Sequence, residues 1–488
     1  MERKRHTLAN VARSVAFWAF SAVALSACDN FGVQESVETQ SQSIAVQTAV
    51  TPAPDAVAKQ GEVMMQGFYW DVPFEETDGS SHKNGIWWDT IKDKIPSWNA
   101  AGISSVWIPP VSKAAGGGTS MGYDPSDYFD LGKYDQHGTI ETRFGSEEEL
   151  KDMVTEAHRY NIQVIADIVI NHNSGGQLED NQYYEPKDTW TKFEPASGKF
   201  NRTQHDFHPN HIHNNDPLMF PPDDNPDLTA HFPDLCHHKV YVQDWLWKSD
   251  ESFATYLKNE IGIDGWRFDF VKGFEPWVVR EWVNHQGGFS VGEYWDGNAG
   301  TLEWWANEAN SSAFDFACYY RMKDAFDGNN LARLNDDMLW KRNPFKAVTF
   351  VSNHDTNEIW NKMLAYAYIL THEGLPCIFY RDYEEWLDKD KINNLIWIHN
   401  NLAGGSTDIL HADNDEYVAK RNGHDGKPGL IVYLNNSDNW QERWIPTNWS
   451  NRQIKDYTGN SNWEPYTQGG TWVKIQCPPK SYTVWSTK

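Results

Sequence analysis

The chain has 488 residues, enough for two or three domains including a barrel of roughly 250 residues, so a short peptide and a coiled coil are excluded. Hydrophobic residues at 40% and charged residues at 23% fit a globular protein and exclude wholesale disorder. With 42 Lys plus Arg against 68 Asp plus Glu, the formal charge of -26 repels phosphate backbones and anionic membrane surfaces, which argues against a nucleic-acid partner. The 25 Trp, 21 Tyr and 23 Phe are more flat amphipathic faces than a core needs, and the excess suits stacking on sugar rings. Core packing is the plain alternative for any single Trp. Five cysteines, at 28, 236, 318, 377 and 477, include no CxxC pair, so no disulfide framework is expected.

Residues 1–27 begin with Arg3, Lys4 and Arg5, continue through Arg13, and carry an apolar stretch from Val15 to Leu25. That stretch is too short for a membrane span and has the pattern of a secretion signal. It ends Leu25-Ser26-Ala27-Cys28, which resembles a bacterial lipobox, where the signal is cut before the cysteine and the thiol is acylated. An ordinary signal peptide with a nearby cysteine is the alternative. The lipobox reading predicts an exported lipoprotein facing the periplasm or cell exterior, touching the membrane only through its N-terminal lipid. Residues 28–60, rich in Ser, Thr, Gln, Ala and Pro, read as a flexible tether.

Val63 to Trp70 reads as a buried first strand, and Trp87, Ile91, Ile95 and Trp98 recur at helical spacing up to a C-terminal cap at Gly102. A second strand runs from Ile103 to Ile108. Ser146 with Glu149 forms a capping box, and Leu150, Met153, Val154 and Ala157 give the helix behind it an apolar face. Ile162 to Ile170 is apolar almost throughout, as a strand covered on both sides should be. This alternation is the rhythm of a parallel α/β fold. Further strands are expected at Ile263–Phe270, Phe289–Glu293, Ala347–Val351 and Pro376–Tyr380. The gap of about 90 residues after Ile170 is too long for a connection, so it holds an inserted, irregular subdomain. After about Leu402 short alternating runs with turn signals predict a small antiparallel β domain, including Gly429–Leu434 and closing at Tyr482–Trp485.

Polar residues gather where these strands end: Asp167, Asn171 and His172, then Arg267 and Asp269, then Glu293, then His354 and Asp355. In a barrel the C-terminal strand ends converge on one face, so these distant residues can meet there. Any one carboxylate read singly is a surface charge or a helix cap. These carboxylates, two histidines and an arginine at successive strand ends instead suit glycoside hydrolysis, which needs two carboxyl groups around a positively charged, sugar-like transition state. Arg267, two residues before Asp269, would hold that carboxylate ionised.

These segments resemble the α-amylase family of glycoside hydrolases, family 13, through Asp167-Ile-Val-Ile-Asn-His172, Gly265-Trp-Arg-Phe-Asp-Phe-Val-Lys-Gly273, Gly292-Glu-Tyr-Trp295 and Phe350-Val-Ser-Asn-His-Asp355. Gly122 to Gly132 and Phe379 to Trp386 resemble the branch of plant and archaeal members. The resemblance implies a TIM (β/α)8 barrel with an inserted domain after the third strand and a C-terminal antiparallel β domain. Domain bounds follow as 61–172 and 241–402 for the barrel, 173–240 for the insert and 403–488 for the C-terminal domain. It implies Asp269 as nucleophile, Glu293 as general acid then base, and Asp355 as the carboxylate that binds the distorted sugar. His172, His354 and Arg267 match residues that hold the sugar hydroxyls and the nucleophile, Tyr123 matches a ring under the sugar, and Lys272 with Trp295 match the leaving-group side.

The same resemblance implies a structural calcium on Asn171, Asp216, Asp234 and the Gly273 carbonyl, oxygen donors of the kind a hard cation takes. Lys272-Gly273 stands where many members have Lys-His, and the insert between His213 and Asp234 is long and rich in Pro and Asp, which bears on the choice of ligand Asp. His208, His213 and Cys236 resemble a zinc site beside calcium in archaeal relatives, two imidazoles and a thiolate being donors zinc prefers. A histidine-rich stretch beside a buried free thiol is the alternative. Expected is a monomeric, retaining, endo-acting enzyme on α-1,4 bonds of starch-like glucans. A transglycosylating or maltooligosaccharide-forming relative, and a surface glucan-binding protein without catalysis, are the rival readings.

Overall fold

The computed structural model of the protein describes residues 62–76, 83–183, 188–212, 232–468 and 470–488. The signal, Cys28 and the tether lie outside the described residues, as do His213 and Asp216. Among the described residues no helix is long and apolar enough to cross a membrane.

Eight parallel strands close into a barrel: β1 (Met64–Gln66), β2 (Ser105–Ile108), β3 (Gln163–Ile168), β4 (Gly265–Phe268), β5 (Phe289–Gly292), β6 (Ser312–Phe314), β7 (Ala347–Phe350) and β8 (Leu375–Phe379). Closure comes from β1, whose Met64 pairs with Cys377 on one side and Ser105 on the other. Seven of these strands match the sequence reading; six are shorter than read, by one to five residues, and β8 has the expected length shifted by one residue. The sixth, β6, was missed because three residues, Ser312-Ala313-Phe314, show no period. All three are buried.

The helices follow from their local chemistry. Helix α1 (Trp87–Ala101) buries Trp87, Ile91, Ile95 and Trp98 and ends at Gly102, whose φ of 95° is left-handed. Helix α2 (Glu147–Arg159) starts on the reciprocal Ser146–Glu149 box and buries Leu150, Met153, Val154 and Ala157. Between β3 and β4 the chain makes a hairpin of Gln177–Asp180 with Asp188–Lys192 rather than a wholly irregular excursion.

After Leu402 the chain forms an antiparallel sheet ordered β9 (Thr407–Ala412), β10 (Glu416–Arg421), β11 (Leu430–Asn435), β15 (Ser481–Thr487), β13 (Ile454–Asp456). A separate two-stranded sheet pairs β12 (Gln441–Pro446) with β14 (Trp472–Cys477). This domain is pinned to the barrel by buried polar contacts: His372 Nε2 to Tyr417 Oη at 2.8 Å, and Arg421 Nη1 donating to Thr371 O at 3.2 Å.

Candidate active site

Parallel pairing sets Arg267 of β4 directly beside Asp167 of β3. The two-residue period of a strand then puts Arg267 and Asp269 on the same side. Arg267 is fully buried. Its Nη1 donates to both Asp167 oxygens, at 2.8 and 3.0 Å, and to Asp269 Oδ1 at 2.8 Å. Its Nη2 lies 2.8 Å from Glu293 Oε1, an ion pair off the hydrogen-bond axis. One guanidinium therefore gathers three carboxylates.

Glu293 arrives here because its N–H donates to Phe268 O at 3.0 Å, carrying the strand pairing past Gly292. A Cβ at Gly292 would fall 2.0 Å from Trp305 Cη2, so no larger residue fits. Phe270, directly after Asp269, has φ 43°, a left-handed conformation that costs a bulky residue roughly 1–3 kcal/mol. That strain turns its N–H onto Glu293 Oε2 at 3.1 Å.

The remaining groups form a hydrogen-bonded chain. Tyr123 Oη donates to Asp167 Oδ2 at 2.8 Å and lies 2.8 Å from His354 Nε2, its ring stacked on the imidazole at 5.4 Å and 14°. Because the tyrosine's one proton points to a carboxylate, His354 Nε2 must donate to the tyrosine oxygen, leaving Nδ1 to accept from Gln66 Nε2 at 2.8 Å. Burial lowers His354 to about 4, so it stays neutral. Asp355 accepts from Trp70 Nε1 at 2.7 Å and stands 3.2 Å from His354 Nε2. His172 Nε2 reaches Tyr123 O at 2.9 Å. Lys272 pairs with Asp296 at 3.2 Å, and Trp295 packs on Phe316 at 4.3 Å while donating to Tyr320 Oη at 3.0 Å.

Burial pushes Glu293 up to about 8 and Asp167 up to about 7, and it raises Asp269 too, against the opposing pull of Arg267 on all three. A single cation cannot hold three buried anions, so at least one carboxyl keeps its proton. Among the described residues Asp167 and Asp269 accept aligned hydrogen bonds from Arg267, whereas Glu293 accepts an aligned bond only from the Phe270 amide. We place the proton on Glu293 and leave Asp269 ionised.

Beside this cluster, Asn171 Oδ1 is buried with no hydrogen-bond partner among the described residues. A Cβ at Gly273 would fall 1.9 Å from that oxygen, so only a glycine lets the backbone come so near. Asp234 is brought alongside by a bridge to His172 and by Leu235 N donating to Asn171 O at 2.9 Å. An orphaned amide oxygen, a carboxylate and a close-packed backbone fit a hard cation. Asp234 also pairs with His208 Nδ1. Burial opposes the charge on His208, yet Asp234 and Cys236, both hydrogen-bonded to it, raise it to about 10. Elsewhere His411, Asp413 and Glu416 lie close enough for an ion, but Glu416 already accepts from Arg443 Nη2 at 3.1 Å and from Tyr433 Oη.

Sequence reasoning gave no role to Gln66, Trp70, Trp107 or Phe270. Trp107 Nε1 donates to Asp167 Oδ2 at 3.1 Å, and its ring lies 4.8 Å from the Arg267 guanidinium. Gln66 and Trp107 lie in β1 and β2, and Trp70 follows β1; their position at that end of the barrel was the available signal.

Residues 72–279 match the family described as Alpha amylase, catalytic domain, and residues 430–486 match Alpha-amylase C-terminal. The α-amylase of Bacillus licheniformis is 30% identical over 396 residues, covering 67% of this chain and 72% of that protein. The cytoplasmic α-amylase of Escherichia coli is 28% identical over 457 residues, covering 78% and 89%. The crystal structure of α-amylase from Geobacillus thermoleovorans complexed with acarbose superposes with a TM-score of 0.66 at 19% identity, covering 88% of this chain and 99% of that one.

Proposed function

We infer the reaction from one premise: this chain belongs to the α-amylase family of glycoside hydrolases. It hydrolyses internal α-1,4-glucosidic bonds of starch-like glucans, and we assign the chemistry to Asp269 and Glu293 with retention of configuration. The observation that carries this is the buried Arg267 touching both carboxyls while their surroundings give them opposite tasks. In the first step an Asp269 oxygen bonds to the anomeric carbon, the bond from that carbon to the glycosidic oxygen breaks, and the Glu293 proton passes to the departing oxygen. In the second, water gives its proton to Glu293 and its hydroxyl to the same carbon, the ester bond breaks, and Asp269 is restored as carboxylate. Two displacements at one carbon retain the α configuration. Asp355, His354, His172 and Tyr123 hold and stack the distorted sugar, and Lys272 with Trp295 face the leaving group. Proton NMR of the first products should show α anomers, and Asp269→Asn should lower kcat by roughly 10^4-fold or more while glucan binding persists. β-Configured products, or an active Asp269→Asn enzyme, would remove the assignment.

A calcium ion held by Asn171, Asp216, Asp234 and the Gly273 carbonyl would tie the strand end at Asn171 to the insert; the unpaired Asn171 oxygen supports it. His208 and Cys236, in contact with one another, would with His213 be the donors of a zinc ion, whose binding requires His208 to give up the proton it holds beside Asp234 and Cys236. The Leu25-Ser26-Ala27-Cys28 sequence supports an exported, lipid-anchored protein. Cys28→Ser should then move the enzyme from the membrane to the soluble fraction, and a soluble, unacylated wild type would refute the anchor.

A further inference from the structure

We propose that the outer face of the β12–β14 sheet in the C-terminal domain is a second binding surface for an α-glucan chain, outside the barrel; this rests on the glucan reading above. The strands pair antiparallel with Trp444 opposite Lys474 and Pro446 opposite Trp472. Alternation sends Ile445, Val473, Ile475 and Cys477 into the small core of that domain. Trp444 and Trp472 go the other way and stand 52% and 50% exposed. Lys474 Nζ pairs with Glu442, so both share that outer side.

The register makes Trp444 and Trp472 diagonal neighbours, about 7–8 Å apart at the backbone. Trp440, just before β12, is 53% exposed as well. Indoles left half in water forgo the burial that folding favours, and a row of them on one face marks a ligand surface.

Charge chooses the occupant. Glu442 and Lys474 cancel, leaving a neutral face of flat apolar rings with a polar rim. A second copy of a chain carrying -26, a nucleic acid or an anionic membrane would be repelled by the molecule as a whole, whereas an uncharged polymer is not. A sugar ring offers an apolar C–H face to stack on indole and hydroxyls for the rim. The polymer cut in the barrel has this chemistry, and a second grip on it raises its effective concentration at the cleft.

The test is the full chain carrying Trp444→Ala with Trp472→Ala, compared with the Phe pair at the same positions. Expected is adsorption to starch granules weakened by roughly tenfold in the Ala pair, two stacking contacts' worth. The Phe pair should adsorb as wild type, and kcat on maltoheptaose should stay unchanged in both. Wild-type adsorption by the Ala pair would overturn the surface. So would a dimer turned monomer with adsorption unchanged, which would make the face a contact between copies. Failure of the wild type to cut maltoheptaose would instead overturn the glucan reading itself.

Discussion

Glu293 shows how one residue sets the pH behaviour of the site. Glu293 must carry a proton to serve as acid, and burial holds it up to about 8. Activity should therefore fall as pH rises through about 8, and fall again at low pH once Asp269 is protonated. The same proton bears on stability. Between the ordinary carboxyl range and about 8 the folded protein holds a proton that the unfolded chain has released, so stability declines as pH rises across that window. A kcat/KM profile from pH 4 to 10 checks the first sign, and Glu293→Gln should flatten the stability slope.

At the scale of elements, the ends matter more than the middles. The Ser146–Glu149 box satisfies two amide donors reciprocally, with Ser146 N donating to Glu149 Oε2 at 2.8 Å and Glu149 N donating to Ser146 Oγ at 3.3 Å. Ser146→Ala should cost about 1 kcal/mol, read as a lower urea midpoint with an unchanged m-value. This helix was legible in the sequence because the cap and the apolar period are local. β6 was not, since three buried residues become a strand only when β5 and β7 supply ladder partners on either side. The pairing of Gln177–Asp180 with Asp188–Lys192 escaped for a different reason, its strands being polar and largely exposed and so lacking an apolar period.

For the whole molecule the insert and the barrel meet at Asn171 and Asp234, two of the residues proposed to hold calcium. Leu235 N on Asn171 O and the His172–Asp234 bridge are backbone contacts between segments far apart in sequence, and a cation there would hold them shut. Chelation should lower the thermal midpoint by several degrees, with calcium restoring it better than magnesium, whose smaller shell prefers water. Metal analysis should also find near-stoichiometric zinc that drops in Cys236→Ser; calcium alone in both proteins would rule the zinc out.

The sequence by itself determined the α/β class, the C-terminal antiparallel domain and the strand ends where polar residues gather, because period, capping and motif spacing are local properties of the chain. Asp269, Glu293 and Asp355 could be picked out there by their place after apolar runs. Only the tertiary structure decided that Asp167 shares Arg267 with Asp269 and Glu293, that Trp70 reaches Asp355, and that Phe270 is strained toward Glu293. Those contacts depend on the register of a closed barrel, and register is fixed by every strand at once.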